Sequence, residues 1–346
     1  VTALLHILPE DGIGGAEIAA RAAAAAAPDK ITVAALGGPP PSANVVALGR
    51  GHPLSPVAAW RAGRLARDYP VAVFSLWKST LAMLASALLA PRTRRVLFLH
   101  SDRRTHLPDI LATWLGGWMA DEIWGDCQRT LDGVGRLKRP GVPGRAISFV
   151  LGRLAPTRRT QPRPRFIFWG RLNSLKRIDR AIDLFAAIAR TRPDARFLLI
   201  GPDADSEAAL RAQVTTLGLD DKVVFAGARS LGEIAALSAD YDIFLQLSEQ
   251  EGAAMSLIEA MQLGLVPVVT PVGEMGHYVT PLETGVIYQT LEQAAAEIER
   301  ILDDPALFAR ISAGAVDHWA DRRLYHEDVA AAAEALAARG SFKGKG

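Results

Sequence analysis

Residues 241–270, YDIFLQLSEQEGAAMSLIEAMQLGLVPVVT, decide how the chain is read. An apolar run (IFLQL) gives way to a turn of small residues (EGAAMS), then to apolar side chains at helical spacing (LIEAMQLGL), then to a second β-branched run (VPVVT). A strand, a helix and a strand in so short a stretch form a crossover unit, which joins parallel strands. Two acids lie in its turn and helix. Glu251 falls in the turn, and Glu259 about two turns along the helix, because eight residues rise roughly 12 Å. That spacing does not suit a single carboxylate pair. It suits two acceptors gripping two hydroxyl-bearing portions of one extended ligand, with the amides of Ala254, Met255 and Ser256 near the helix start offering donors to phosphate or sugar oxygens. The plainer alternative is that Glu251 caps the helix and Glu259 faces solvent.

The same alternation runs outward in both directions. Upstream lie FIFWG, ARFLLIG and KVVFAG, each followed by a helical pattern. The first half carries TALLHIL, ITVAAL, VAVFSL, RVLFLH and DEIW, separated by amphipathic or alanine-rich stretches such as GAEIAARAAAAAA and PVAAWRAGRLARD. The expectation is an α/β protein with two doubly wound Rossmann-like domains facing across a cleft, followed by C-terminal helices. Residues 1–155 form the first domain, and the Pro- and Arg-rich 156–164 a linker. Residues 165–315 form the second, 316–340 a helix packing back on the first, and 341–346 a disordered tail.

Composition narrows the function. At 346 residues the chain exceeds one ordinary core, and 49% hydrophobic with 22% charged is typical of a soluble globular protein. Cys127 is the single cysteine, so no internal disulfide or thiolate metal cluster is expected and a reducing, cytoplasmic setting is. The opening apolar run lacks a basic leader, and LAMLASALLA is too short to span a bilayer, so neither an export signal nor a membrane span is expected. Residues 1–160 hold 20 Lys and Arg against 11 Asp and Glu, whereas the remainder holds 19 against 26. A basic half suggests an anionic partner, such as a membrane surface or a phosphorylated acceptor. Nucleic acid is not expected, for there is no lysine tract, reading motif or interleaved aromatic pattern.

In doubly wound folds ligands bind beyond the carboxyl ends of strands. The first such end, HILPEDGIGGAEIAAR, places Gly14 and Gly15 between a strand and a helix start, where backbone amides and the helix dipole favour an anion. A dinucleotide fingerprint would continue with glycine at position 17, and that position is Glu17. The second, FIFWGRLNSLKRIDRAI, puts Arg171 and Lys176 in a strand-to-helix turn, where two cations can hold a diphosphate. The third ends RVLFLH in His100. Asp203 with Asp205 and Asp240 with Asp242 imitate a metal-binding acid pair, but the first pair suits a helix cap and the second precedes a strand, so no metal is expected. Finally, LPDILATWLGGWM sets Leu107, Ile110, Leu111, Trp114, Leu115 and Trp118 at helical spacing just after the basic DRRTH, and Arg61, Arg64 and Arg67 recur three apart. These faces either dock on an anionic bilayer or belong to the core and to solvent respectively.

The ordered set GRLNSLKRID, FLLIGPD, VVFAG and YDIFLQLSEQEGAAMSLIEAMQLGLVPVVT spans most of residues 165–290, with weaker likeness at GIGGAE and FLHSD. It resembles the retaining glycosyltransferases of family 4. The resemblance implies the B-type two-domain fold and a nucleotide-diphosphate sugar donor. With no metal or other cofactor expected, the acceptor expected is a glycan or a lipid-linked molecule, as in cell-surface polysaccharide or glycolipid synthesis, and the basic and aromatic faces named above would set the protein at the inner membrane face. The resemblance further implies that Glu259 holds the ribose hydroxyls and Glu251 contacts the transferred sugar. Arg171 and Lys176 meet the diphosphate beside Gly15, Met255 and Ser256 offer amides to phosphate, Arg229 lies near the base, and His100 points toward the sugar. Two departures stand out. Gly252, Ala253 and Ala254 replace the family's glycine-aromatic-glycine, which reshapes the sugar pocket, and Arg177 replaces a glycine. A nucleotide-sugar epimerase or hydrolase, or a non-catalytic binding module, shares the same features.

Overall fold

The computed structural model describes residues 3–12, 14–39, 41–100, 106–157 and 159–341. The chain divides into two compact units, Val1–Gly152 with Arg323–Gly346, and Arg153–Arg322.

The first unit is built on strands β1 (Leu4–Glu10), β2 (Ile31–Gly37), β3 (Val45–Ala47), β4 (Val71–Ser75), β5 (Arg94–Leu99), β6 (Glu122–Gly125) and β7 (Gly144–Ala146), in sheet order β3-β2-β1-β4-β5-β6-β7. Every pairing is parallel. Strands covered on both faces read as nearly continuous apolar runs, which is why Leu4, Leu5, Ile7 and Leu8 of β1 and Val71–Ser75 of β4 are all fully buried. Helices α1 (Gly15–Ala26), α2 (Pro56–Leu65), α3 (Thr80–Leu89), α4 (Leu107–Met119) and α5 (Gln128–Asp132) supply the crossovers. The alanine run forms α1 and turns Ala16, Ala19, Ala20, Ala23 and Ala24 inward.

In the second unit the strands are β8 (Arg165–Trp169), β9 (Arg196–Ile200), β10 (Val223–Phe225), β11 (Ile243–Gln246), β12 (Val266–Val269) and β13 (Val286–Ile287). Their order is β10-β9-β8-β11-β12-β13, again wholly parallel. The helices are α6 (Ile178–Thr191), α7 (Glu207–Thr216), α8 (Leu231–Ser238), α9 (Met255–Gln262), α10 (Met275–Tyr278), α11 (Leu291–Asp303) and α12 (Pro305–Ala320). Because β8 lies between β9 and β11, the winding reverses there, and a crevice opens beyond the carboxyl ends of β8 and β11. Two backbone segments meet closely at the rim. A Cβ on Gly201 would stand 1.8 Å from the Gly170 carbonyl oxygen, so only glycine fits.

Two expectations about boundaries are corrected. Residues 156–164 are not a free linker but part of the second unit, because Arg159 is buried and satisfies backbone acceptors there. Its guanidinium donates to the carbonyls of Tyr241 (2.7 Å), Ser238 (2.7 Å) and Leu263 (2.5 Å), and lies 3.5 Å from Asp242. Burial pulls Arg159 down to about 10, which leaves it charged at neutral pH. The helix expected over 316–340 is two helices, α12 and α13 (Tyr325–Ser341). The break arises because Leu324 bridges Val150 and the Val150 carbonyl accepts the Tyr325 amide at 2.8 Å. Helix α13 then buries Tyr325, Val329, Ala332, Ala333 and Leu336 within the first unit. Ser341, the first residue of the expected tail, closes that helix, and 342–346 lie outside the described residues, as do 102–105 of DRRTH.

Arg159→Ala removes one partner of a buried pair and takes a hydrogen bond from four carbonyls, those of Thr157, Ser238, Tyr241 and Leu263, so we expect a loss of about 3 kcal/mol. Urea denaturation measures it, and a loss below about 1 kcal/mol would show the segment to be a passive tether.

Candidate functional site

In the second unit the side chains of β11 and its following turn converge on one carboxylate oxygen. Glu251 Oε1 accepts from Lys176 Nζ, Gln246 Nε2 and Ser248 Oγ, each at 2.6 Å. Ser256 Oγ in turn donates to Gln246 Oε1 at 3.1 Å. Gln246 and Ser248 are fully buried, whereas Lys176 retains 18% of its side-chain exposure. Backbone geometry holds the two loops together, for the Glu249 amide donates to the Leu175 carbonyl at 2.8 Å. Glu251 therefore does not cap α9. That helix starts with no side-chain cap, so its first amides remain open donors at the positive end of the helix dipole.

Glu259, expected either at the ribose or facing solvent, is partly buried and accepts from Trp169 Nε1 at 2.8 Å. Burial pushes its carboxyl up to about 7, opposed by the indole hydrogen bond. Trp169 is the last residue of β8 and Glu259 lies on α9, so this pair and the Lys176–Glu251 pair both belong to the reversal of the sheet.

The two departures in the sequence acquire a physical meaning. Ala254 (φ 49°) and Arg177 (φ 46°) both adopt the left-handed conformation, which costs a side-chain-bearing residue roughly 1–2 kcal/mol relative to glycine. Both stand where the resemblance led to glycine. Arg177 is held by its own ion pairs, to Asp179 at 2.8 Å and Glu249 at 3.4 Å. Gly273 is at φ 57°, and a Cβ there would lie 2.3 Å from the Glu251 carbonyl oxygen. A depression of about 440 Å³ lined by Asn173, Leu175, Arg177, Asp179, Ser206 and Glu249 opens beside the turn that carries Lys176.

Not every expected residue joins the network. The Arg171 side chain is exposed, with no hydrogen-bond or ion-pair partner among the described residues, while its backbone carbonyl accepts the Asn173 amide at 3.0 Å. Arg229 is exposed too, bonded to the neighbouring Ala228 carbonyl at 2.9 Å. Of the metal-like acids, Asp203 accepts the Ser206 and Glu207 amides at 3.0 Å, and Asp242 is buried against Arg159 and Arg163. In the first unit, Gly14 precedes α1 with the Glu17 carboxylate folded over it: a Cβ on Gly14 would stand 2.3 Å from Glu17 Oε2. Gly15, the first residue of α1, is exposed. His100 follows β5, with Nε2 3.2 Å from Ser75 Oγ. Sequence reasoning missed Trp169, Gln246 and Ser248. The signal was present for the last two, polar side chains ending an otherwise apolar strand.

Residues 155–317 match the family model described as Glycosyl transferases group 1. The GDP-mannose:cellobiosyl-diphosphopolyprenol alpha-mannosyltransferase of Xanthomonas campestris is 30% identical over 133 residues, 38% of this chain and 35% of that protein. The N-acetyl-alpha-D-glucosaminyl L-malate synthase of Bacillus anthracis is 33% identical over 113 residues, covering 33% and 29% respectively. The chain thus spans about a third of the length of these relatives. The fold extends further than the sequence likeness. Anabaena HepE in complex with UDP superposes with a TM-score of 0.80 at 19% identity, over 97% of this chain and 100% of that one. The shared fold is the B-type glycosyltransferase architecture, with a doubly wound sheet in each unit.

A carboxyl raised from its unfolded value to about 7 stabilises the fold below pH ~4.5, and that contribution is lost as pH rises through 7. We expect wild-type stability to fall by as much as about 3 kcal/mol between pH 4.5 and 8, and Glu259→Gln to flatten that fall. Urea denaturation across this range reads the difference; parallel curves for the two proteins would place Glu259 in solvent.

Proposed function

We propose that the protein is a retaining glycosyltransferase that moves a sugar from a nucleotide-diphosphate donor to a glycan or lipid-linked acceptor, without a metal. The observation that carries the reading is the Lys176–Glu251 pair beside the uncapped start of α9, within the stretch that matches the glycosyl transferase family. Relatives and structural neighbours that act on GDP-mannose or bind UDP support a nucleotide-sugar donor while leaving the base open.

Departure of a nucleoside diphosphate from an anomeric carbon creates an oxocarbenium-like centre and concentrates negative charge on the diphosphate. Groups aimed at that charge lower the barrier, because they bind it more tightly as it grows. Lys176 uses one of its three N–H donors on Glu251 and keeps two for phosphate oxygens. The open amides of Ala254, Met255 and Ser256 add dipolar stabilisation, and Arg171, exposed and unpaired, swings onto the diphosphate when the donor binds. Glu251 spends Oε1 on three donors, and its Oε2 accepts a hydroxyl of the transferred sugar. Glu259 accepts from the ribose hydroxyls, Arg229 flanks the base, Gly14 and Gly15 admit the diphosphate, and His100 contacts the sugar. The acceptor hydroxyl attacks on the face the diphosphate leaves, and a phosphate oxygen takes its proton, so no protein nucleophile is needed. The engagement of Asp203 and Asp242 with helix amides and arginines supports metal independence.

The acceptor side of the reading rests on α4. Leu107 (74% exposed), Leu111 (64%), Trp114 (46%) and Trp118 (44%) form a stripe along one side, with the two indoles 5.9 Å apart. On α2 the Arg64 guanidinium lies 4.9 Å from the exposed Trp60 ring, beside exposed Arg61. Tryptophan and arginine at a surface match the interfacial region of an anionic bilayer, so we place the protein peripherally on the inner, cytoplasmic membrane face.

Two tests follow. Calorimetry against nucleoside diphosphates should show Glu259→Ala weakening binding about tenfold or more, while Glu251→Ala retains binding and lowers turnover at least a hundredfold. Equal losses in both quantities count against the division of roles, and nucleotide release that needs no acceptor would make the protein a hydrolase. In flotation with anionic liposomes at low salt, wild type should rise with the vesicles and Trp114→Ala/Trp118→Ala should remain below; wild type that stays at the bottom removes the membrane assignment.

A further inference from the structure

At the carboxyl ends of the central strands of the first unit, a buried chain of side chains leads to His100. His6 of β1 is 1% exposed and its Nε2 lies 2.7 Å from Ser75 Oγ, the last residue of β4, itself fully buried. The same hydroxyl lies 3.2 Å from His100 Nε2. Phe98 fixes the planes of both rings, 6.1 Å from the His6 ring and 4.4 Å from that of His100, and Phe149 meets His100 edge-on at 5.7 Å. The Nδ1 atoms of both histidines are buried without a partner among the described residues.

Proton counting constrains this arrangement. Burial depresses His6 to about 4 and His100 to about 3, so both rings are neutral at pH 7 and each carries a single N–H. A serine hydroxyl has one proton to give. It donates to one ring and accepts from the other, and therefore the two imidazoles hold opposite tautomers. In either arrangement one Nδ1–H is left without an internal acceptor. An unpaired N–H is costly to bury; both Nδ1 atoms are covered, but His6 is only 1% exposed inside the sheet, whereas His100 ends its strand and keeps part of its residue surface open. We infer that His6 and Ser75 are positioning residues that hold His100 in its Nδ1–H tautomer, so that His100 presents a fixed hydrogen-bond donor to an oxygen of the bound sugar. The direction of the relay is then His6 Nε2–H to Ser75, and Ser75 O–H to His100 Nε2. Its use in catalysis rests on the assignment of His100 to the sugar; the relay itself does not.

Long-range proton–nitrogen correlation spectra of the uniformly 15N-labelled full-length protein at pH 7 test the inference directly. The expected pattern is an Nδ1–H ring for His100 and an Nε2–H ring for His6. Ser75→Ala should release His100 into a mixture of tautomers. His6→Gln, whose amide can still donate to Ser75, should preserve the wild-type state of His100, whereas His6→Phe should lose it. Turnover should fall about tenfold in Ser75→Ala and His6→Phe and be kept in His6→Gln, with nucleotide affinity unchanged in all three. An Nε2–H tautomer at His100 in the wild type, or a His100 signal indifferent to Ser75→Ala, overturns the inference. Correct tautomers with turnover untouched would leave the relay standing and remove His100 from the sugar. If His6→Phe fails to fold, the Ser75→Ala spectrum decides alone.

Discussion

A single carboxylate oxygen organises the second unit's site. Glu251 Oε1 receives an ammonium, an amide and a hydroxyl at equal distances, and these come from three different segments: the turn after β8, the end of β11 and the loop that follows it. Each donor is thereby immobilised by the same acceptor. The ammonium is placed before any ligand arrives, so little of the ordering entropy has to be met at binding. The arrangement also explains why the neighbouring backbone is strained. To bring α9 and the α6 turn toward one atom, the chain turns sharply at Ala254 and Arg177, and both occupy left-handed conformations.

The two units distribute polar groups differently. Around the Glu251 network, side-chain polar atoms are paired and a helix start is left open. Around Phe98 in the first unit, four buried polar atoms, His6 Nδ1, His100 Nδ1, Trp124 Nε1 and Tyr325 Oη, have no partner among the described residues. Burial raises the Tyr325 hydroxyl and lowers both histidines, so every titratable group in that cluster is held neutral at physiological pH. The second unit thus holds an ammonium paired with a carboxylate, whereas this cluster of the first unit holds neutral donors and acceptors.

Much of this was legible in the sequence. Nine of the strands announce themselves because a parallel strand buried on both faces must be apolar nearly throughout, and the short edge strand β10 does so by its β-branched run although it is partly exposed. The strands that escaped, β3, β7 and β13, are edge strands of two or three residues, and β3 and β7 are half exposed, so their composition carries no comparable signal. Lys176, Glu251 and Glu259 were singled out because ligands of doubly wound folds bind beyond strand ends, and the structure draws the first two into one contact. Trp169 was passed over because an aromatic at a strand end reads equally well as core. His6 was hidden for a related reason, since a histidine inside TALLHIL gives no hint that Ser75, 69 residues away, lies against its ring. The linker was misread because proline and arginine look alike in flexible and in packed chain; only the carbonyls gathered around Arg159 distinguish the two.

The position of α13 has a consequence for synthesis. Its apolar face completes the core of the first unit, yet it is encoded after all of Arg153–Arg322. As the polypeptide leaves the ribosome, the N-terminal sheet must wait, partly uncovered beside α1 and β4, while an entire second lobe is translated and folds. Helix α13 therefore acts as the latch on a domain whose sheet is made well before it, and a nascent chain stalled in the second lobe leaves a greasy seam for chaperones to shield.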